Sequence, residues 1–417
     1  MQTTNNREQW STFVAFLLPS LALVAPSGYS YSPIILLLTS FVNIKIWKNV
    51  PPSKEMWMLF FSFVFIAMTW MIDNILSLEG GAAFEKPLKI IATLPCLIYL
   101  MTYPPKSKWL WNGCAAGAFG ALAICIWQIA TDHPSWHYHH RTTGFTHPIQ
   151  FGNLALLLGL ISLTGMPSKA RHIQLQRFWL IFGAVCGFLA SLLSGSRGGW
   201  ILFPTILIAT TIYLTLHKQR IKAFLLVTIA ALLLCSTLII PQSRIIERIE
   251  TAKKEVIAYN EAGDATTSVG ARLQMWEFAW KLFTQKPLVG WTQLGYSKEI
   301  KTATNRKELD PIMESFNHPH NEMLDSASKR GALGLLALLL TYMTPLLIFT
   351  RHFKAASTPE QRRLAIAGAL IPIAYIVFGL TQSFLPHNSG TMMYFYMTSY
   401  IWATLYNAKM KVRTDGT

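Results

Sequence analysis

Charge is scarce in this 417-residue sequence, and acid is scarcer than base: 13% of residues are charged, with 20 Asp and Glu set against 36 Lys and Arg. A soluble chain of this length needs charged surface for two or three domains. The shortage, together with 52% hydrophobic residues and a mean hydropathy of +0.34, points to lipid as solvent. Few acids fall inside the apolar runs, Asp73 being the clearest, whereas a proton-coupled pump usually carries buried carboxylates. The five cysteines, Cys96, Cys114, Cys125, Cys186 and Cys235, lie in apolar runs. They have neither metal-ligand spacing nor extracytoplasmic pairs, so they read as packing residues and not as a zinc site or a disulfide framework. Asp-x-Asp, Walker, Gly-x-Ser-x-Gly and dinucleotide-binding patterns are also missing, which argues against nucleotide-sugar chemistry. No small-residue cleavage site follows the polar stretch ending at Gln9, so the first apolar run is expected to stay as a spanning helix.

Long apolar runs are abundant. They occupy about 12 to 28, 32 to 47, 56 to 77, 87 to 103, 109 to 130, 149 to 165, 177 to 194, 198 to 216, 222 to 240, 331 to 350, 364 to 384 and 390 to 408. The expected fold class is all-α: a polytopic membrane protein with about twelve transmembrane helices. Basic residues crowd alternate connecting segments, as in Lys45, Lys48 and Lys54, in Lys169, Arg171 and Arg177, and in Lys218, Arg220 and Lys222. The opposite short segments hold only Lys86, Lys89, Arg141 and Arg197, which places both termini in the cytoplasm. This clustering also assigns the formal charge of +16 to an anionic lipid face and not to nucleic acid. The expected organisation is therefore residues 1–240 as helices one to nine, 241–330 as a large helical periplasmic loop, and 331–417 as helices ten to twelve with a cytoplasmic tail. Within the loop a helix is expected from Ser268, as N-cap, to Gln285 ahead of Pro287, with Arg272, Trp276, Trp280 and Phe283 along one face.

The densest polar constellation is Asn317-His318-Pro319-His320-Asn321-Glu322, just before the run that opens at Gly331. Paired histidines at a membrane mouth suit a base, a phosphate donor or a metal ligand; their bland alternative is hydrogen bonding to loop backbone. Ser196-Arg197-Gly198-Gly199 joins two apolar runs, and its Arg offers a fork of donors suited to phosphate oxygens, against an alternative of snorkelling to headgroups. Arg272 alone is a weak signal, because amphipathic surface helices commonly carry basic residues. His133, His137, His139, His140 and His147 cluster in one loop, but only Asp132 joins them as a carboxylate, so no metal site is assigned. Arg141 in that loop is placed to reach an anion, and Lys86 and Lys89 at the opening of the fourth run have snorkelling as their ordinary explanation.

His320-Asn321, nine residues and then Gly331-Ala332-Leu333-Gly334 resemble the signature of the O-antigen ligases. Ser196-Arg197-Gly198-Gly199, Gly270-Ala271-Arg272 through Trp276, and Pro287-Leu288-Val289-Gly290 resemble stretches of the wider O-antigen ligase and polymerase superfamily. The resemblance implies glycosyl transfer at the periplasmic face of the bacterial inner membrane, from an undecaprenyl-diphosphate-linked O-antigen to a sugar hydroxyl of the lipid A core. It implies His320 as base, His318 and Asn321 as orienting groups, Arg197 and Arg272 on the diphosphate, and Arg141 and Lys86 in support. Neither metal nor cofactor is expected, and the chain is taken as a monomer among membrane lipids. O-antigen polymerase and pilin oligosaccharyltransferase stand as near alternatives, and a transporter or lipid flippase as an alternative from another class.

Overall fold

The computed structural model describes residues 2–50, 53–167, 174–196, 198–207, 221 and 245–415. All regular structure among them is helical: α1 (Gln2–Leu21), α2 (Gly28–Val42), α3 (Lys54–Leu76), α4 (Glu85–Ile91), α5 (Thr93–Thr102), α6 (Ser107–Ala130), α7 (Pro134–His139), α8 (Pro148–Thr164) and α9 (Gln174–Leu193). After the segment 198–207 come α10 (Ile245–Ala262), α11 (Ser268–Gln285), α12 (Thr292–Asn305), α13 (Glu322–Lys354), α14 (Pro359–Gly379) and α15 (Asn388–Asp415). Among the described residues five helices, α3, α6, α9, α13 and α14, are long and apolar enough to cross a membrane, while α2 and α8 are shorter apolar helices. The chain is a membrane protein. The expected run 222 to 240 lies outside the described residues, as does the 208–216 part of the run 198 to 216, whose start is a short helix over Gly198–Leu207.

The expected run 87 to 103 is two helices, not one. Pro95 has no N–H to donate to the carbonyl of Ile91, so the ladder breaks at Ala92 and α5 restarts at Thr93. Packing in the bundle depends on small residues. Gly117 of α6 lies so close to α1 that a Cβ there would sit 1.9 Å from the Pro19 carbonyl oxygen, the close approach that membrane helices use for association. One apolar core fills the bundle, centred on residues such as Phe63, Phe349, Tyr375, Tyr394 and Trp402.

A second, separate core holds α11 and α12 together through Ala271, Met275, Phe278, Ala279, Leu282, Tyr296 and Ile300. Helix α11 has the expected extent, but its cap is Thr267, whose hydroxyl accepts from the Gly270 N–H at 3.0 Å, and not Ser268. Gly270, Ala271, Met275, Phe278, Ala279 and Leu282 form its buried face; Trp276 is half-buried and packs at the edge of this core, while Trp280 is exposed and pairs with Phe283 at 5.4 Å.

Two glycines join this small domain to the bundle. The turn Pro287–Gly290 meets α13 backbone to backbone: Ala332 N–H donates to the Pro287 carbonyl at 2.7 Å, Leu333 N–H to Leu288 at 3.3 Å, and Trp291 N–H to Ser328 at 3.0 Å. Gly290 and Gly331 both take positive φ at the crossing, and α13 kinks at Gly331. The helix itself begins well upstream of the apolar run that opens at Gly331. Asn321 caps it at Glu322, its side-chain oxygen accepting from the N–H groups of Met323 and Leu324, both at 3.1 Å.

Candidate active site

A cleft of about 790 Å³ opens where the small domain meets the bundle. Its walls come from the end of α3 (Trp70, Asp73), from α4 (Lys86), from the start of α12 (Gln293), from Asn317, His318 and His320 before α13, from Asp325, Lys329 and Arg330 on α13, and from the α14–α15 connection (Gln382, Ser383, His387). His147 completes it from the start of α8.

His318-Pro319-His320 forms a small arch. The Trp276 indole N–H holds its crown by donating to the Pro319 carbonyl at 2.9 Å, and the His320 N–H donates to His318 Nδ1 at 3.2 Å. His320 has φ +49°, a left-handed conformation that a non-glycine residue adopts when its surroundings impose it. Its ring meets that of His318 edge to face at 4.4 Å between centroids. Because His318 Nδ1 accepts from a backbone N–H, its ring proton sits on Nε2, and the neutral His318 is a hydrogen-bond donor toward the cleft. His320 Nδ1 contacts Gln382 Oε1, and Gln382 Nε2 lies 3.2 Å from His387 Nε2.

All four cleft histidines have a lowered affinity for a proton. Burial lowers His318 to about 4 against an opposing pull from Asp325, and burial with the nearby His147 lowers His387 to about 4. Burial also lowers His320, a shift that the Gln382 contact opposes and the Arg272 guanidinium reinforces. His147 is lowered by burial and by Arg141. His318 and His387 are thus uncharged near neutrality, and burial disfavours the charged form of His320 and His147 as well.

Cations and carboxylates pair along α13 and the end of α3. Arg330 Nε pairs with Asp73 Oδ2 at 2.9 Å, and the buried Lys329 pairs with Asp325 and donates to the Asn317 carbonyl at 2.9 Å. Asp73 also accepts from the Gln293 N–H at 2.8 Å, tying α3 to the start of α12. Lys86 is different. Among the described residues no carboxylate lies within ion-pair distance of it, and burial followed by repulsion from Arg330 lowers its affinity for a proton. Ser383 supplies a second free group: its hydroxyl is buried without a partner among the described residues.

Of the residues singled out in the sequence, His318, His320 and Lys86 line this cleft. Arg272, on α11, is near enough for its charge to act on His320. Asn321 is committed to capping α13. Arg141 lies deeper, its Nε donating to the Ser194 carbonyl at 2.8 Å. Arg197 is outside the described residues; of its neighbours, Ser196 donates to Asn153 Oδ1 at 2.6 Å, and Gly198 abuts Thr381, next to Gln382. The histidine loop disperses. His137 pairs with Asp132 at 2.8 Å, His133 caps α7 and His147 caps α8, and among the described residues no group of three potential ligands could hold a metal. Gln382, Ser383 and His387 are not among the residues singled out in the sequence, although the polar triplet Thr381-Gln382-Ser383 inside the run 364 to 384 was a usable sign.

The glycine joint and the histidine arch fall at the downstream end of the segment 182–339, which matches the sequence model of a family described as O-antigen ligase. An O-antigen ligase of Escherichia coli K12 is 28% identical over 193 residues, covering 45% of this chain and 44% of that relative. The chain belongs to the O-antigen ligase family. An uncharacterized protein of Haemophilus influenzae is 30% identical over 405 residues, 93% of this chain and 98% of the relative. Membership places the chain among membrane enzymes that transfer glycans.

Proposed function

We propose that this O-antigen ligase family member transfers O-antigen from an undecaprenyl-diphosphate carrier to a sugar hydroxyl of the lipid A core, in the cleft beneath the histidine arch and on the periplasmic side of the inner membrane. The observation that carries the reading is His320: a half-buried imidazole, kept neutral by its surroundings, on a strained and braced arch. In this reaction the acceptor hydroxyl oxygen bonds to the anomeric carbon while its proton passes to His320. The bond from that carbon to the phosphate oxygen breaks, and undecaprenyl diphosphate leaves with the electron pair. His320 must therefore be uncharged when substrate arrives, a form that its lowered proton affinity favours.

The leaving diphosphate gathers negative charge as the bond breaks, and donors fixed in place stabilise it best. His318 offers its Nε2–H without adding charge; Arg272 offers a guanidinium and Lys86 an amine that no carboxylate among the described residues pairs within ion-pair distance. Arg197, outside the described residues, takes the same role in the proposal, and Arg141 and Asn321 act by holding segments in place. The donor is already activated by its diphosphate linkage, so the proposal includes neither ATP nor a metal.

The test is a His320→Ala chain expressed in a strain lacking its own ligase. With membrane insertion confirmed, lipopolysaccharide should lose its long-chain ladder; a normal ladder refutes His320 as base. Offering purified donor with lipid A core, free repeat units or pilin identifies the acceptor by which product carries label.

A further inference from the structure

Gln382 is the direct partner of His320, and nothing in the family signature includes it. It comes from the connection between α14 and α15, far along the chain from the arch, and its side chain is buried at 2% exposure. Its two amide atoms make two different contacts. Oε1 meets His320 Nδ1, and Nε2 meets His387 Nε2 at 3.2 Å. An amide oxygen only accepts and an amide nitrogen only donates, so each contact fixes the proton on the ring it touches. His320 carries its hydrogen on Nδ1, and His387 presents the bare lone pair of Nε2.

We propose that Gln382 is a positioning residue that locks His320 in the Nδ1–H tautomer with Nε2 free for the acceptor hydroxyl, and that His387 locks Gln382. Turning the amide over would make both contacts repulsive unless both rings exchanged tautomer together, so the three groups hold their protons as a coupled set. Burial keeps His387 neutral, at about 4, so the lock adds no charge to the cleft. The choice of an amide also follows from the substrate chemistry. A carboxylate at this position would favour the imidazolium, leaving the base already protonated, and would repel a diphosphate.

The inference rests on the reading of His320 as base, and the experiment separates the two. Other charged and titratable groups acting on His320 are His318 on its own arch, Arg272 from α11, Asp325 from α13 and His387 from the α14–α15 connection, with His147 and Lys86 acting in turn on His387. All of these stay in place in the variants chosen. Purified full-length chain in lipid vesicles is assayed with undecaprenyl-diphosphate-linked glycan and lipid A core across pH. Gln382→Leu removes the acceptor at similar volume, and kcat should fall about 10- to 100-fold with KM within about twofold, as for loss of a group that orients a reactive imidazole. Gln382→Glu keeps an acceptor in place. Its kcat plateau should recover to within several-fold of wild type, while the acid limb of the kcat profile moves up by about one pH unit or more.

An unmoved acid limb in Gln382→Glu, or an unchanged kcat in Gln382→Leu, overturns the positioning role. If Gln382→Leu is not recovered from membranes, the Gln382→Glu profile decides alone. A His320→Ala control in the same vesicles that retains turnover overturns the base assignment instead.

Discussion

Replacing Gly331 by Ala tests the joint that aims the small domain at the cleft. Gly331 has φ 65° and ψ −159°, a region open in practice only to glycine. A Cβ there would lie 2.3 Å from the carbonyl carbon and oxygen of Leu288 and 2.5 Å from the Val289 nitrogen. These neighbours are backbone, so no rotamer change relieves the overlap. The torsional cost is about 1–3 kcal/mol, and shifting the Pro287–Gly290 turn adds about 1–3 kcal/mol more, giving about 2–6 kcal/mol in all. The turn cannot move alone, because the Ala332–Pro287 and Trp291–Ser328 hydrogen bonds and the Lys329 and Arg330 side chains lie on the same stretch of backbone. Unfolding of the purified chain in detergent should therefore occur at clearly lower denaturant or temperature, and transfer activity should fall with it although no cleft histidine has changed. Gly295→Ala is the control: this glycine sits inside α12 with nothing closer than 3.4 Å to its absent Cβ, so alanine is neutral or stabilising by up to about 1 kcal/mol. Wild-type stability and activity in Gly331→Ala would refute the account of the joint.

Two further perturbations address the cleft walls. Asp73→Asn leaves the largely buried Arg330 without its carboxylate, costing about 3 kcal/mol or more. Protease sensitivity across α11 and α12 should then rise, and wild-type protection would show that the ion pair does not hold the small domain. For pH, the sign follows from His318 and His387, whose folded values near 4 lie below the ordinary 6.5. The unfolded chain binds more protons between those values, so the contribution of these residues is complete above pH 6.5 and is lost as pH falls from 6.5 toward 4. The unfolding midpoint of wild type should drop through this window more steeply than that of a His318→Asn, His387→Asn chain; parallel curves would count against neutral buried rings.

What the sequence could reveal depended on whether the signal was local. The ends of α11 are set by Thr267 and Pro287 and are legible there, because capping and proline act within a turn. Which face of α11 is buried was not legible, since Trp276, Trp280 and Phe283 outrank Ala271 and Ala279 in hydrophobicity. Beside a membrane the aromatics need not all be core: Phe278 lies within the second core and Trp276 at its edge, Trp280 stays outside, and the helix packed most extensively on α11 is α13. The arch was conspicuous because two histidines adjoin in the chain. Its partners were not, because Gln382 and His387 meet it only after α13 runs out and α14 returns, and helical periodicity carries no information on which connections converge at one end of a bundle. Topology then explains why the glycine motifs matter beside a histidine they do not touch. Gly290 and Gly331 let two backbones cross where side chains would have held them apart, and that crossing goes with the contact by which the start of α12 holds Asp73 in the cleft lining. A cleft whose two walls come from separate cores keeps its geometry only as well as the joint between them.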